Sequence, residues 1–87
     1  MPEILLDVSE LEPCEPLEKT LSALTGLESN EWLRVLLRRE PFPLYELLEK
    51  QAFCWKTMAS SDASFELLIW RCNDLMAENA IRQLQKN

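Results

Sequence analysis

Residues 4–26, ILLDVSELEPCEPLEKTLSALTG, restrict this chain more than any other stretch. Over residues 3–8, Ile4, Leu6 and Val8 alternate with Leu5 and Asp7. That near-continuous apolarity predicts a strand covered on both faces. Pro13 holds the residue before it extended. Pro16 has the fixed φ of a first helical residue and needs no N–H partner there. Leu17, Leu21 and Leu24 follow at i, i+4 and i+7, one face of a helix over 16–25. Glu15 and Glu18 place negative charge in its first turn. Gly26, the only glycine in the chain, is the expected C′ stop.

Residues 31–39 predict a second strand, with Leu33, Val35 and Leu37 on one face and Trp32, Arg34, Leu36 and Arg38 on the other. Strand, helix and strand in this order imply a parallel pair joined by a right-handed crossover. Glu40-Pro41-Phe42-Pro43 forms a second proline-bracketed loop, and a helix over 43–51 places Leu44, Leu47 and Leu48 together. Residues 52–59 and 64–71 predict an antiparallel hairpin. A helix over 73–87, capped by Asn73 or Asp74, carries Met76, Ala80 and Leu84 with Ala77 and Ile81 beside them. The expected fold is an α/β (α+β) two-layer sandwich. Its four-stranded mixed sheet, in βαβαββ order, carries two helices on one face and an extra C-terminal helix. Residues 1–72 form the sandwich domain, and 73–87 an extension that packs on that domain or on a partner.

Composition limits the function classes. Eighty-seven residues make one small domain. A net charge of −6 works against nucleic acid or an anionic membrane as partner, despite the local cluster Arg34, Arg38 and Arg39. No apolar run reaches the roughly 20 residues of a membrane span. The start Met1-Pro2-Glu3 lacks the basic opening of a signal peptide. Three cysteines without tight spacing do not predict a disulfide framework, so the chain is expected in the reducing cytoplasm. Histidine is absent, which removes the usual general base at neutral pH and the commonest metal ligand. No cofactor, no metal and no enzymatic activity are expected.

The stretch LDVSELEPCEPL, residues 6–17, resembles the opening of the TusA/SirA-like small sulfur-carrier proteins, an LD…L motif followed by Cys-Pro-x-Pro at the first helix. The resemblance covers residues 4–71. The second joint, EPFPLY at 40–45, is more similar to an uncharacterised bacterial domain-of-unknown-function family of that superfamily, with Pro-Pro-Glu-Pro at its first joint and D-P-x-P-L-Y at its second. The resemblance implies a two-layer sandwich with both helices on one sheet face. In the carriers the cysteine precedes the proline. Here Pro13 stands in the cysteine slot and Cys14 one residue late, so the persulfide role does not carry over onto Pro13.

Two surfaces hold the candidate residues. The first joins the proline loops: Pro13, Cys14, Glu15 and Pro16, with Pro41 and Pro43. A helix N-terminus favours a Cys14 thiolate, whereas Glu12, Glu15 and Glu18 oppose it. Free N–H groups there suit an anion, and the same glutamates work against one. The second surface is the outer sheet face, where Trp32, Leu36, Cys54, Met58, Leu68 and Trp70 are too apolar to leave wet. Either the C-terminal helix covers it through Met76, Ala80, Ile81 and Leu84, or another chain does, with Trp32 and Trp70 as anchors. Cys54 and Cys72 are expected as buried structural thiols. The sequence thus reads as a non-enzymatic accessory or protein-interaction module, able to meet a protein partner or a second copy of itself. The alternative is a sulfur or redox carrier using Cys14.

Overall fold

Seven elements make up the fold in the computed structural model, which describes residues 3–8, 15–59 and 65–85. In order they are β1 (Glu3–Asp7), α1 (Glu15–Thr25), β2 (Trp32–Leu37), α2 (Phe42–Lys50), β3 (Phe53–Ala59), β4 (Phe65–Arg71) and α3 (Leu75–Gln85). The four strands form one mixed sheet in the order β1-β2-β4-β3. β1 pairs with β2 in parallel, and the other two pairings are antiparallel. The expected α+β architecture is therefore present, with α3 adding a partial third layer.

Period-2 alternation sorts the strand residues between two cores. Leu33, Val35 and Leu37 of β2 and Leu67 and Ile69 of β4 pack against Leu24 of α1 and Leu44 and Leu48 of α2. On the opposite face Trp32, Leu68 and Trp70 pack against Ala77 and Ile81 of α3. α3 thus covers its own sheet. The stripe that does so is Ala77, Ala80 and Ile81, whereas Met76 and Leu84 are exposed. Asp74 caps the helix as expected: its Oδ1 accepts from the Ala77 N–H at 3.2 Å. Its Oδ2 accepts from the Asn30 N–H at 2.6 Å, which ties α3 to the turn before β2.

Three expectations are corrected. β1 is not covered on both faces: it is an edge strand, and Leu5 is 60% exposed beside Arg34. Trp32 and Trp70 are only 6% and 8% exposed. They are core residues beneath α3, so neither offers an anchor to a partner in this conformation. Cys54 and Cys72 are not free buried thiols but a disulfide, with Cα atoms 5.0 Å apart. The register sets Cys54 opposite Trp70, and Cys72, in the turn just past the end of β4, comes within the Cα separation a disulfide needs. The expectation of a reducing compartment loses that support. Gly26 follows the last residue of α1, the stop expected there, without a left-handed backbone. α1 ends by tightening, the Gly26 N–H bonding to the Ala23 carbonyl and the Leu27 N–H to the Leu24 carbonyl, both at 3.2 Å. The left-handed residue after a helix is instead Ala52, following α2.

Candidate binding cavity

β1 and β2 run parallel, so both finish at one end of the sheet. The ladder extends one residue past β1, the Val8 N–H donating to the Leu36 carbonyl at 3.0 Å. Beyond Leu37 the chain bends at Arg38 and Arg39 and enters α2 through Glu40 and Pro41. α1 lies over the same end with Leu17 and Thr20 one turn apart. Between these pieces is a cavity of about 350 Å³. Its walls are Val8, Leu17, Leu37, Leu44, Pro41 and Pro43. Thr20, Arg38, Arg39 and Glu40 supply the polar lining.

Thr20 is the unusual member. It occupies a core position of α1, wholly buried, between Leu17 and Leu24 in the apolar stripe. Its Oγ1 has no hydrogen-bond partner among the described residues. A buried hydroxyl without a partner is destabilising, and most such groups in folded proteins are paired. The sequence reading overlooked it by counting only the leucines. The available signal was a polar residue at i+3 from Leu17, inside a stripe that is otherwise aliphatic.

The rim is charged. Arg38 and Arg39 are exposed, and neither has an ion-pair partner among the described residues. Glu40, by contrast, is engaged: the Tyr45 hydroxyl donates to its Oε2 at 3.3 Å. Tyr45 also shares a hydrogen bond with Thr57 and stacks on Trp55, ring centres 5.3 Å apart. Burial pushes the Tyr45 phenol above its usual value, and the Glu40 charge acts in the same direction against the lowering effect of Thr57. The α2 N-terminus offers little to an anion. Phe42 donates its N–H to Glu40, Leu44 and Tyr45 donate theirs to Pro41, and Pro43 has none.

Of the residues singled out from sequence, Pro41 and Pro43 line this cavity. Glu15 and Pro16 begin α1 as its first two residues. Pro13 and Cys14 lie outside the described residues. Trp32 and Trp70 belong to the opposite face and take no part. Among the described residues no group of three metal-ligating side chains occurs, and no helix is long and apolar enough to cross a membrane.

Residues 5–71 match the family model DUF2249, whose description is an uncharacterized conserved protein. No curated protein and no solved structure matches the chain.

Proposed function

Since the chain belongs to the DUF2249 family of uncharacterized conserved proteins, it inherits no known activity, and we propose that it is a non-enzymatic accessory module that binds through the cavity at the carboxyl ends of β1 and β2. The observation that carries this reading is the cavity of about 350 Å³ itself, with apolar walls and the exposed Arg38 and Arg39 at its rim. A cavity with apolar walls and few polar groups is the usual form of a small-molecule site. Its place at the carboxyl ends of parallel strands is where open α/β sheets bind ligands. The described lining carries one hydroxyl and no carboxylate, imidazole or thiol bonded to it, so nothing there activates a nucleophile. A protein partner at the tryptophan face is no longer part of the reading, because α3 occupies that face.

The test is a fragment screen on the isotope-labelled full chain, followed by amide chemical shifts. Cavity binding predicts perturbations concentrated at residues 8, 17, 20 and 37–44. Perturbations confined to α3, or scattered over the surface, would remove the reading.

A second reading is sulfur carriage on Cys14. The Cys54–Cys72 disulfide favours it in one respect, since it leaves Cys14 as the only other cysteine in the chain. Limited alkylation across pH, followed by mass spectrometry, decides it. A carrier predicts fast labelling of Cys14 with an apparent pKa near ~7 or lower, and an ordinary thiol one near ~8.5.

A further inference from the structure

We infer that the Cys54–Cys72 disulfide is a reversible thiol–disulfide exchange site, opened by a dithiol, and that its opening loosens α3 from the outer face of the sheet. The first part follows from where the bond lies. The β3–β4 ladder ends at the pair Phe53–Arg71. Cys72 stands in the turn just beyond, and the bond joins that turn to Cys54 near the start of β3. It lies at the open end of the hairpin, so breaking it breaks no ladder hydrogen bond. The backbone is also tied across the same gap, the Cys72 N–H donating to the Ala52 carbonyl at 3.0 Å. The two Cα atoms are 5.0 Å apart, inside the range a disulfide spans. One backbone thus accommodates either a disulfide or two thiols.

The two cysteines differ in access. Cys72 is exposed, whereas Cys54 is half-buried and packs against the cluster of Trp32, Leu68 and Trp70 beneath α3. Exchange requires an attacking thiolate to reach one sulfur of the bond, and access selects Cys72. A thiolate of the dithiol bonds to Cys72 Sγ. The S–S bond breaks, its electron pair goes to Cys54 Sγ, and Cys54 takes up a proton. The second thiolate of the dithiol then attacks the reagent's sulfur in the mixed disulfide and expels Cys72, which is protonated in turn. Two electrons have passed: the protein holds two thiols and the reagent a disulfide. A disulfide oxidant runs the same steps in reverse.

The second part follows from what the bond ties together. Leu75, the first residue of α3, lies three residues after Cys72. The helix rests on the sheet through Ala77 and Ile81. Its root is held by Asp74, whose N–H donates to the Arg71 carbonyl at 3.0 Å and whose carboxylate accepts from Asn30 and Ala77. The disulfide adds a covalent tie from this root to β3, beside the cluster that α3 covers. Its loss removes one tie from the outer layer. The inner face, where Leu33, Val35 and Leu67 meet α1 and α2, loses none.

The test uses the oxidised full chain and dithiothreitol. Reduction is stopped by alkylation and each cysteine is followed by mass spectrometry, at several reagent concentrations and at urea concentrations below the unfolding transition. An exchange site is expected to be reduced in proportion to the reagent and almost independently of urea. The far-ultraviolet circular dichroism should stay unchanged, and oxidised glutathione should restore the bond. Reduction that levels off with reagent and climbs with urea means that the bond opens only through unfolding, as in a purely structural disulfide. That result, or a chain that unfolds once reduced, overturns the proposal. Amide exchange then compares the oxidised and reduced proteins. α3 is expected to exchange about 10-fold faster when reduced, inside the roughly 5–150-fold range of ordinary coupling between two sites. Leu33, Val35 and Leu67 are expected to exchange at unchanged rates. Unchanged exchange along α3, or equal acceleration on both faces, overturns the link between the bond and the helix.

Discussion

On the inner face of the sheet, Leu33, Val35, Leu37, Leu67 and Ile69 meet leucines from two helices. On the outer face, Trp32, Leu68 and Trp70 meet Ala77 and Ile81 from one. The rest of the outer face is closed by charge. Glu3 accepts from Trp32 Nε1 at 2.9 Å and pairs with Arg34 at 3.0 Å, and Arg34 also pairs with Glu66. A single short helix spans only part of a four-stranded sheet, so an ionic row completes on this face what two helices do opposite. Among the described residues each face also holds one buried polar side-chain atom without a partner: Thr20 Oγ1 on the inner side and Trp70 Nε1 on the outer. The first lines a cavity, whereas the second is packed under α3.

This contrast can be tested by mutation, starting where the effect is largest. Leu67→Ala empties the centre of the inner face and is expected to cost about 2–5 kcal/mol. Urea denaturation should show a single cooperative loss. If Ile81→Ala on α3 costs as much and unfolds the whole domain with it, the outer layer is as integral as the inner one and the distinction fails.

Thr20→Val changes the sign. Removing an unpaired hydroxyl while keeping the shape is expected to raise stability by about 1–2 kcal/mol, seen as a higher urea midpoint. A loss instead would mean that the hydroxyl has a partner in solution, such as ordered water. Trp70→Phe removes the other orphan but leaves a void beneath α3, and is expected to give no such gain.

Asp74→Ala removes the cap of α3 and its tie to Asn30. It is expected to cost about 1 kcal/mol. Amide exchange should quicken along α3 and stay unchanged in β2 and β4 if the outer layer opens on its own.

Glu3 gives the smallest effect and a pH dependence. Burial alone would raise its carboxyl, but hydrogen bonds from Arg34 and Trp32 and the Arg34 charge outweigh burial and hold it below 4.5. The folded carboxyl is thus the stronger acid. Its contribution is present above that value and is lost as pH falls through the depressed folded value. Glu3→Gln should lower stability slightly at neutral pH and flatten the loss on the acid side. Urea midpoints between pH 3 and 7 check both.

Much of the fold was legible because its signals are local. Alternation in residues 32–37 and 65–71, the leucines of α1 and α2 and the Asp74 cap all follow from spacing along one chain segment. What failed to show depended on neighbours distant in sequence. The exposure of Leu5 required knowing that β1 lies at an edge. The Cys54–Cys72 pair required the β3–β4 register. Whether Trp32 and Trp70 faced a partner or α3 depended on where the last helix docks. The cavity was half visible: Pro41 and Pro43 stood out as loop residues, but Thr20 passed as one polar position in a helix.

By itself, then, the sequence determined which segments are strands and helices and which faces are apolar, since those follow from periods of 2 and 3.6 residues. Only the tertiary structure decided that α3 closes the outer face and that two cysteines meet. It also decided that a helix hydroxyl is buried at the meeting of α1 with the β2–α2 bend. Those outcomes depend on which surfaces, far apart in the chain, come together to leave water, and no local period encodes that choice.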